Sequence, residues 1–328
     1  MEVPDYHLPE EAIAQVPAEP RDSARLLDAL HEPPRHLSVR DLPSLVAKGD
    51  VLVLNTSRVV PARLMLRKQT GGEAEVLLLE TLDDEGTWEA MVRPGRRLPP
   101  GTVLYRGPLA VLQVAERLPG GTRAVRSLVP DLTALAELAL PSYIHEPLKD
   151  PERYQTVYSD RPGSVAAPTA GLHLTERVMQ ECRERGARFV SVDLAVGPGT
   201  FKPIKAGRAE DHEMHAERYS VPPQTWEACQ EARRAGGRVW AVGTTAVRAL
   251  ESAAATGSFQ GRTELYIRPG HHFLVVDVLM TNFHQPKSTL LVLLEAFAGR
   301  RWRDLYALAL AKGYRFLSFG DAMVVGRA

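Results

Sequence analysis

D-V-L-M-T-N-F-H-Q-P-K-S-T-L-L, from Asp277 to Leu291, is the stretch on which the reading of the whole chain turns. The apolar residues Phe273, Leu274, Val275 and Val276 run into Val278, Leu279 and Met280 and predict a strand. Polar residues then dominate from Thr281 to Thr289. Leu290, Leu291, Leu293, Leu294 and Phe297 follow at spacings of three and four, which predicts a helix. A buried strand that ends in a polar loop at a helix start is where α/β folds bind ligands, because strand ends expose backbone and the first helical N–H groups are free. Asn282, His284, Lys287, Ser288 and Thr289 supply many donors and one proton that titrates near neutrality. A loop needed only for turning would more often use Gly, Asp and Asn.

The same alternation extends outward in both directions. Gly49-Asp50 leads into Val51-Leu52-Val53-Leu54, an all-apolar strand of the kind buried on both faces of a parallel sheet. It ends at Asn55-Thr56-Ser57-Arg58, which is either a second ligand-facing strand end or a polar turn with a surface arginine. Leu132–Leu138 reads as a helix. Thr175 is an N-cap for a helix reaching about Arg185, with Gly186 suited to its end. Phe189–Val196 reads as a strand, Thr225–Ala235 as a helix, and Arg238–Val242 as a strand that runs into Gly243-Thr244-Thr245. The next helix carries Arg248 and Glu251 on one face, and a last helix spans Leu305–Lys312. This β-then-α order predicts a parallel or mixed sheet, open or closed into a barrel.

Between Arg67 and about Leu140 the texture differs. Short runs at Glu75–Glu80, Thr87–Val92, Thr102–Tyr105, Leu109–Val114 and Thr122–Leu128 alternate with Gly and Pro turns, predicting a small antiparallel barrel or sandwich inserted into the α/β domain. The arginines 93, 96, 97, 123 and 126 read either as phosphate contacts or as a solvated barrel surface. Residues 5–40 are polar and proline-rich and read as a surface arm.

The 328 residues are 44% hydrophobic and 24% charged, with Lys+Arg equal to Asp+Glu, so no global field draws in nucleic acid or membrane. Any RNA surface is local. Cys182 and Cys229 lie far apart and form no metal-ligand pattern, which suits a reduced, cytoplasmic setting. No signal peptide or membrane-span-length apolar run is visible.

Six of the ten histidines, His173, His212, His215, His271, His272 and His284, fall in the second half of the chain, where they can serve proton transfer. His212 and His215 form H-E-x-H, whereas zinc-binding helices place two histidines four apart, so no metal is expected. Gly243-Thr244-Thr245 at a strand-to-helix turn reads as a seat for an anion or carboxylate. Phosphate-loop, dinucleotide and serine-hydrolase signatures are absent. The residues by themselves describe a metal-free α/β enzyme whose site is built from several strand ends, with the substrate open.

Seven motifs narrow that reading. They are V-L-N-x-x-R-V-x-P-A-R (Val53 to Arg63), R-Y-Q-T-V-Y (Arg153 to Tyr158), G-S-V-A-A-P-T-A-G-L-H (Gly163 to His173), D-H-E-M-H-A-E (Asp211 to Glu217), V-G-T-T-x-V-R-x-L-E-S (Val242 to Ser252), T-N-F-H-x-P-K-S-T-L-L (Thr281 to Leu291) and Y-R-F-x-S-F-G-D-A-M (Tyr314 to Met323). Together, over nearly the whole chain, the sequence resembles the S-adenosylmethionine:tRNA ribosyltransferase-isomerase family of queuosine biosynthesis.

The resemblance implies an α/β-barrel catalytic domain over residues 1–66 and 148–328, with a small antiparallel β-barrel domain over residues 67–147 inserted into it. It implies transfer and isomerisation of the ribosyl group of S-adenosylmethionine onto 7-aminomethyl-7-deazaguanine (preQ1) at the tRNA wobble position, giving epoxyqueuosine with release of adenine and methionine. S-adenosylmethionine would be a consumed cosubstrate, with no bound prosthetic group, and the protein a cytoplasmic monomer.

Acid–base chemistry is expected from His173, His212, His215 and His284. Arg248, beside Glu251 on its helix, and the Gly243-Thr244-Thr245 turn would meet the methionine carboxylate. Asn282, Ser288, Thr289 and Asp321 would bond the ribose or the base. Lys287, Arg58 and Arg315 would meet tRNA phosphates, and Asn55, Thr169, Gly171 and Glu251 complete the expected substrate-binding set. The chain departs from the family pattern at Thr56 (usually Asp), Ala195 (usually His) and Gln285 (usually Leu), and Asp193, two residues before Ala195 on the same strand face, is the candidate replacement for the histidine. The alternative is a catalytically altered relative that binds S-adenosylmethionine or RNA.

Overall fold

A computed structural model of the chain describes residues 2–197, 204, 212, 214 and 216–328. It contains the strands β1 (Arg25–Ala29), β2 (Arg35–Ser38), β3 (Val51–Asn55), β4 (Ser57–Val59), β5 (Arg63–Lys68), β6 (Glu73–Thr81), β7 (Thr87–Arg93), β8 (Val103–Arg106), β9 (Leu109–Arg117) and β10 (Arg123–Ser127). Then follow β11 (Arg161–Ser164), β12 (Arg188–Leu194), β13 (Glu217–Ser220), β14 (Val239–Val242), β15 (Gln260–Thr263), β16 (Val278–Asn282) and β17 (Ala322–Gly326). The helices are α1 (Glu176–Glu184), α2 (Pro223–Arg234), α3 (Thr244–Thr256), α4 (Thr289–Ala298) and α5 (Trp302–Ala311).

Two compact units emerge, one of residues 1–58, 141–161 and 167–328, the other of residues 59–140 and 162–166. The second unit starts before the expected Arg67 because Arg63 already pairs with Leu77 in the barrel.

The larger unit holds a nine-stranded mixed sheet in the order β15-β13-β12-β3-β14-β16-β17-β1-β2. The expected α/β layer takes this form, with the described strands in open order. At its centre β12, β3, β14 and β16 run parallel, so their C-terminal ends fall on one edge. β3 and β14 are buried at every position, as the apolar runs Val51–Leu54 and Val239–Val242 lead one to expect. Leu52, Leu54, Trp240, Val242, Val278 and Met280 pack with Val178, Met179 and Cys182 of α1. Thr175 caps α1 by accepting from the Val178 N–H, and Gly186 takes φ +87° just beyond its end, a conformation that favours glycine. Cys182 and Cys229 are both free and buried.

Three expectations change. Residues 25–29 are a buried sheet strand, parallel to β17, within what the polar composition suggested was a surface arm. Phe273–Val276 precede the strand without joining it, and β16 starts at Val278. The reason is local: the backbone N–H groups of Leu274, Val275 and Val276 donate to the carboxylate of buried Glu251 at 2.8, 3.0 and 3.0 Å. An apolar run whose amides are satisfied by a side chain has no need of a neighbouring strand.

The third change is in the smaller unit, where Leu132–Leu138 makes only a 3₁₀ turn over Thr133–Leu135. The chain then turns out to exchange hydrogen bonds with Arg63, the Glu137 N–H donating to the Arg63 carbonyl at 2.8 Å. That unit is a closed six-stranded antiparallel barrel, ordered β10-β7-β6-β5-β8-β9, filled by Leu64, Leu66, Val76, Leu104, Val114 and Val125. Its Arg123 is buried and donates to the Gly95 carbonyl, so it serves the barrel's own structure, while Arg93, Arg96 and Arg97 are exposed.

Candidate functional site

The parallel strand ends carry a group of adjoining cavities. One is lined by Pro168, Thr169, Gly243, Thr245, Asn282 and His284 among others, which brings together the ends of β14 and β16, the start of α3 and the 3₁₀ turn Thr169–His173. A second cavity shares Thr244, Thr245 and Leu290 with it and adds Arg248, Leu265 and Ile267. A third shares Asn282 and His284 and adds Tyr143, Gln285 and Ser288.

Asn282, the last residue of β16, is the hub. Its Oδ1 accepts from the Thr169 hydroxyl at 2.9 Å. Its Nδ2 faces the carbonyls of Leu317 and Asp321 at 3.3 and 3.4 Å, as well as His173 Nε2 at 3.1 Å. Carbonyls only accept, so this side of the amide is the donor and His173 Nε2 must accept. His173 is therefore a neutral imidazole with its remaining proton on Nδ1. Burial, followed by the cations Arg315, Arg21 and Arg153, pushes it down to about 3.

His284 differs. Its Nε2 lies 2.9 Å from the Thr281 hydroxyl, while Nδ1 is buried and makes no hydrogen bond among the described residues. Burial pushes this imidazole down to about 3 as well, so it too is neutral.

The α3 start is made by Gly243 at φ +93° and ψ 153°, where a side chain would be strained. Thr244 and Thr245 follow with N–H groups of the first helical turn. The buried Thr245 hydroxyl is unpaired among the described residues. Arg248, one turn on, is buried, pairs through Nη1 with Glu217 and donates from Nε to the Leu265 carbonyl at 3.1 Å. Its Nη2 makes no hydrogen bond among the described residues. Glu217 in turn accepts from the Gly197 N–H at 2.8 Å. Glu217, the last residue of the D-H-E-M-H-A-E motif, was not singled out from sequence, and neither was Thr281. Their signal lay in belonging to motifs whose other members were chosen.

Other expected residues are engaged elsewhere. Asn55 bridges β3 to the end of β12, donating to the Leu194 carbonyl and accepting from the Leu194 N–H, both at 3.0 Å. The Asp321 carboxylate accepts from the Arg25 and Arg315 N–H groups at 2.9 and 2.8 Å. Ser288 caps α4, accepting from the Leu291 N–H at 3.2 Å, and Thr289 opens that helix. Glu251 holds the segment before β16, as described above. Lys287 pairs with Asp5 at 3.2 Å, Arg58 with Glu152, and Arg315 donates to the Val16 carbonyl at 3.1 Å.

Gly171 belongs to the Thr169–His173 turn, where a Cβ would lie 1.9 Å from the Tyr158 hydroxyl oxygen. His212 packs edge-on to Tyr266, whose ring lines the Arg248 cavity. Asp193 is partly buried on β12 and does not line the three cavities; burial pushes its carboxyl up, opposed by Arg218 and Arg161. His215 lies outside the described residues.

The combination is chemically specific. A guanidinium, a hydroxyl and helix-start N–H groups can receive a carboxylate. Leu265, Ile267, Leu290 and Leu293 in the wall of the same cavity can receive an apolar chain. A neutral imidazole nearby with an uncommitted nitrogen can exchange a proton.

Comparison with known proteins agrees over the full length. The chain is 50% identical over 344 aligned residues to an S-adenosylmethionine:tRNA ribosyltransferase-isomerase of Thermus thermophilus, covering 99% of both. It is 50% identical over 328 residues to the protein of the same name from Rubrobacter xylanophilus, covering 98% of this chain and 96% of that one. The crystal structure of an S-adenosylmethionine tRNA ribosyltransferase from Thermotoga maritima matches with 36% identity and a TM-score of 0.57, covering 98% of each chain. A family model described as queuosine biosynthesis protein matches residues 2–325, and the chain belongs to that family.

Proposed function

We propose that this protein is an S-adenosylmethionine:tRNA ribosyltransferase-isomerase. It transfers and isomerises the ribosyl group of S-adenosylmethionine onto 7-aminomethyl-7-deazaguanine at the tRNA wobble position, releasing adenine and methionine. Family membership and the relatives' shared name support the reaction. The observation that carries it to particular residues is a set of three buried polar atoms on cavity-lining residues, Thr245 Oγ1, Arg248 Nη2 and His284 Nδ1, each without a hydrogen bond among the described residues. Buried polar atoms are nearly always paired, so three at adjoining cavities point to a polar ligand.

In this reading Arg248, Thr244 and Thr245 receive the methionine carboxylate, and the apolar wall beside them receives its side chain. His284 Nδ1 removes the proton next to the sulfonium. Adenine is expelled, and the aminomethyl nitrogen of the tRNA base attacks. His173, oriented by Asn282, keeps its Nδ1–H available as a donor. Asn55, Asp321, Ser288 and Glu251, whose polar atoms serve the backbone, hold the frame. Arg58, Lys287 and Arg315 on the larger unit, and the exposed arginines of the barrel, are assigned to tRNA phosphates. The two units then correspond to a catalytic domain and an inserted tRNA-docking domain.

S-adenosylmethionine is consumed as cosubstrate and no prosthetic group is invoked. The protein works as a cytoplasmic monomer; no helix among the described residues is long and apolar enough to cross a membrane. No observation favours the alternative of a non-catalytic relative.

The test is incubation with S-adenosylmethionine and tRNA carrying 7-aminomethyl-7-deazaguanine, then mass spectrometry of the digested nucleosides. Epoxyqueuosine with stoichiometric adenine and methionine is the expected result. S-adenosylhomocysteine, or binding without turnover, would overturn the reading.

A further inference from the structure

We propose that Tyr6 is a positioning residue for His284, and that the N-terminal segment Pro4–Tyr6 is the strap that holds the His284–Lys287 loop in its working conformation. The proposal rests on the reading of His284 as an acid–base group.

His284 is gripped at both sides of its backbone by tyrosine hydroxyls. The Tyr6 hydroxyl donates to the His284 carbonyl, and the Tyr306 hydroxyl accepts from the His284 N–H at 2.8 Å. The two rings cross edge to face, with centroids 5.1 Å apart and planes at 87°. Tyr6 also meets Trp302 at 6.1 Å and Phe316 at 6.2 Å, so its ring is fixed by the same aromatic cluster that carries Tyr306 and Phe283. Burial raises the phenol of Tyr6 far above its ordinary range, so it remains a donor at every working pH.

The strap continues along the loop. The Lys287 N–H donates to the Pro4 carbonyl at 3.0 Å, and Lys287 Nζ pairs with Asp5 at 3.2 Å. Lys287 itself sits at φ +56°, a left-handed conformation that a lysine rarely adopts and that its surroundings must hold. The Arg303 guanidinium donates to the Asp5 carbonyl at 3.3 Å and ties the strap to α5. The loop's two anchors thus come from 278 residues away in sequence and from the helix beyond it.

A ring nitrogen that acts as a base must lie within hydrogen-bond reach of its proton, and a displacement of about 1 Å can cost about a hundredfold in rate. Side-chain rotamer aside, the position of His284 Nδ1 is set by its two flanking peptide planes, and these planes are what the tyrosines hold.

The experiment compares wild type, Tyr6→Phe, Tyr306→Phe and His284→Gln in the tRNA modification assay, well below each protein's melting temperature. Tyr6→Phe keeps the ring and removes only the hydroxyl. The expected result is a loss of about 10- to 100-fold in kcat for Tyr6→Phe, with KM for S-adenosylmethionine within about twofold of wild type. A purely structural role would lower the melting temperature and leave kcat per folded molecule unchanged, and that result overturns the proposal. If Tyr6→Phe fails to fold, Tyr306→Phe decides by the same kcat-against-KM criterion. If His284→Gln is inactive while the tyrosine variants turn over normally, the strap proposal alone falls. If His284→Gln keeps full activity, the reading of His284 falls and takes this proposal with it.

Discussion

Replacing Gly171 by alanine probes the turn that carries both Thr169 and His173 to the site. Gly171 is not among the residues at positive φ, so the backbone tolerates a side chain and the issue is space alone. A Cβ built there lies 1.9 Å from the Tyr158 hydroxyl oxygen and 3.0 Å from both Tyr158 Cζ and Thr156 Cγ2. Real Cβ contacts essentially never fall below 3.0 Å, so the phenol must withdraw by about 1.1 Å (3.0 − 1.9). Tyr158 packs against the main core cluster, which leaves little room for that movement. Overpacking of this kind costs roughly 1–3 kcal/mol, and about 2–3 kcal/mol is expected here. At about 2–4 °C per kcal/mol, the melting temperature should fall by about 4–12 °C.

The same change is then made in a Tyr158→Phe background, where the offending oxygen is gone and the nearest contacts are at 3.0 Å. The cost should drop below about 1 kcal/mol, a coupling of about 1–2 kcal/mol between contacting residues. Thermal unfolding of the four proteins measures the cycle. A Gly171→Ala protein that melts like wild type, or that loses the same stability in both backgrounds, would refute the account of why glycine stands in this turn.

Other consequences are equally direct. Glu217→Ala leaves the Arg248 guanidinium buried without its counter-charge, with side-chain exposures of 6% and 9% for the pair, and should cost about 3–5 kcal/mol in thermal or denaturant unfolding; Glu217→Ala with Arg248→Met should regain most of it. His173 and His284 are pushed down to about 3 by burial, whereas an unfolded histidine titrates near 6.5. The unfolded chain therefore takes up these protons first: stability is intact above about pH 6.5 and falls by about 1.4 kcal/mol per pH unit per histidine towards about pH 3. Melting temperatures from pH 7.5 down should show a slope that is shallower in His173→Asn, and an equal slope would refute the burial of a neutral imidazole there. Glu251→Gln replaces one of the carboxylate oxygens that accept from residues 274–276 with a donor, so it should cost about 1–3 kcal/mol and speed amide exchange at those positions; unchanged exchange would refute the account of that segment.

Much of this molecule could be read before its structure was seen, and the parts that could not share a cause. Val51–Leu54 and Val239–Val242 are apolar throughout, and only a strand buried on both faces needs such sequences. Thr175 announces its helix because capping is a contact between near neighbours. Phe273–Val276 looked equally like a strand, but its amides are satisfied by Glu251 from an adjacent helix, a partnership that no local pattern reveals. Arg25–Ala29 escaped notice because it lies between β2 and β17, the latter at the other end of the chain, and its own short apolar run is flanked by prolines and charges.

The site follows the same logic in reverse. Sequence marks residues by what they are able to donate or accept, so Asn55, Asp321, Ser288, Glu251, Thr245, Arg248 and His284 all looked alike as ligand groups. The first four turn out to serve neighbouring backbone, through pairs that only the folded chain creates. Thr245, Arg248 and His284 each keep a buried polar atom that makes no hydrogen bond among the described residues. A binding residue in a packed interior is distinguished less by its type than by this remainder, because a buried polar atom left unpaired costs about 1–3 kcal/mol that a ligand can recover. The histidine that keeps such an atom is also the one whose backbone two tyrosines hold.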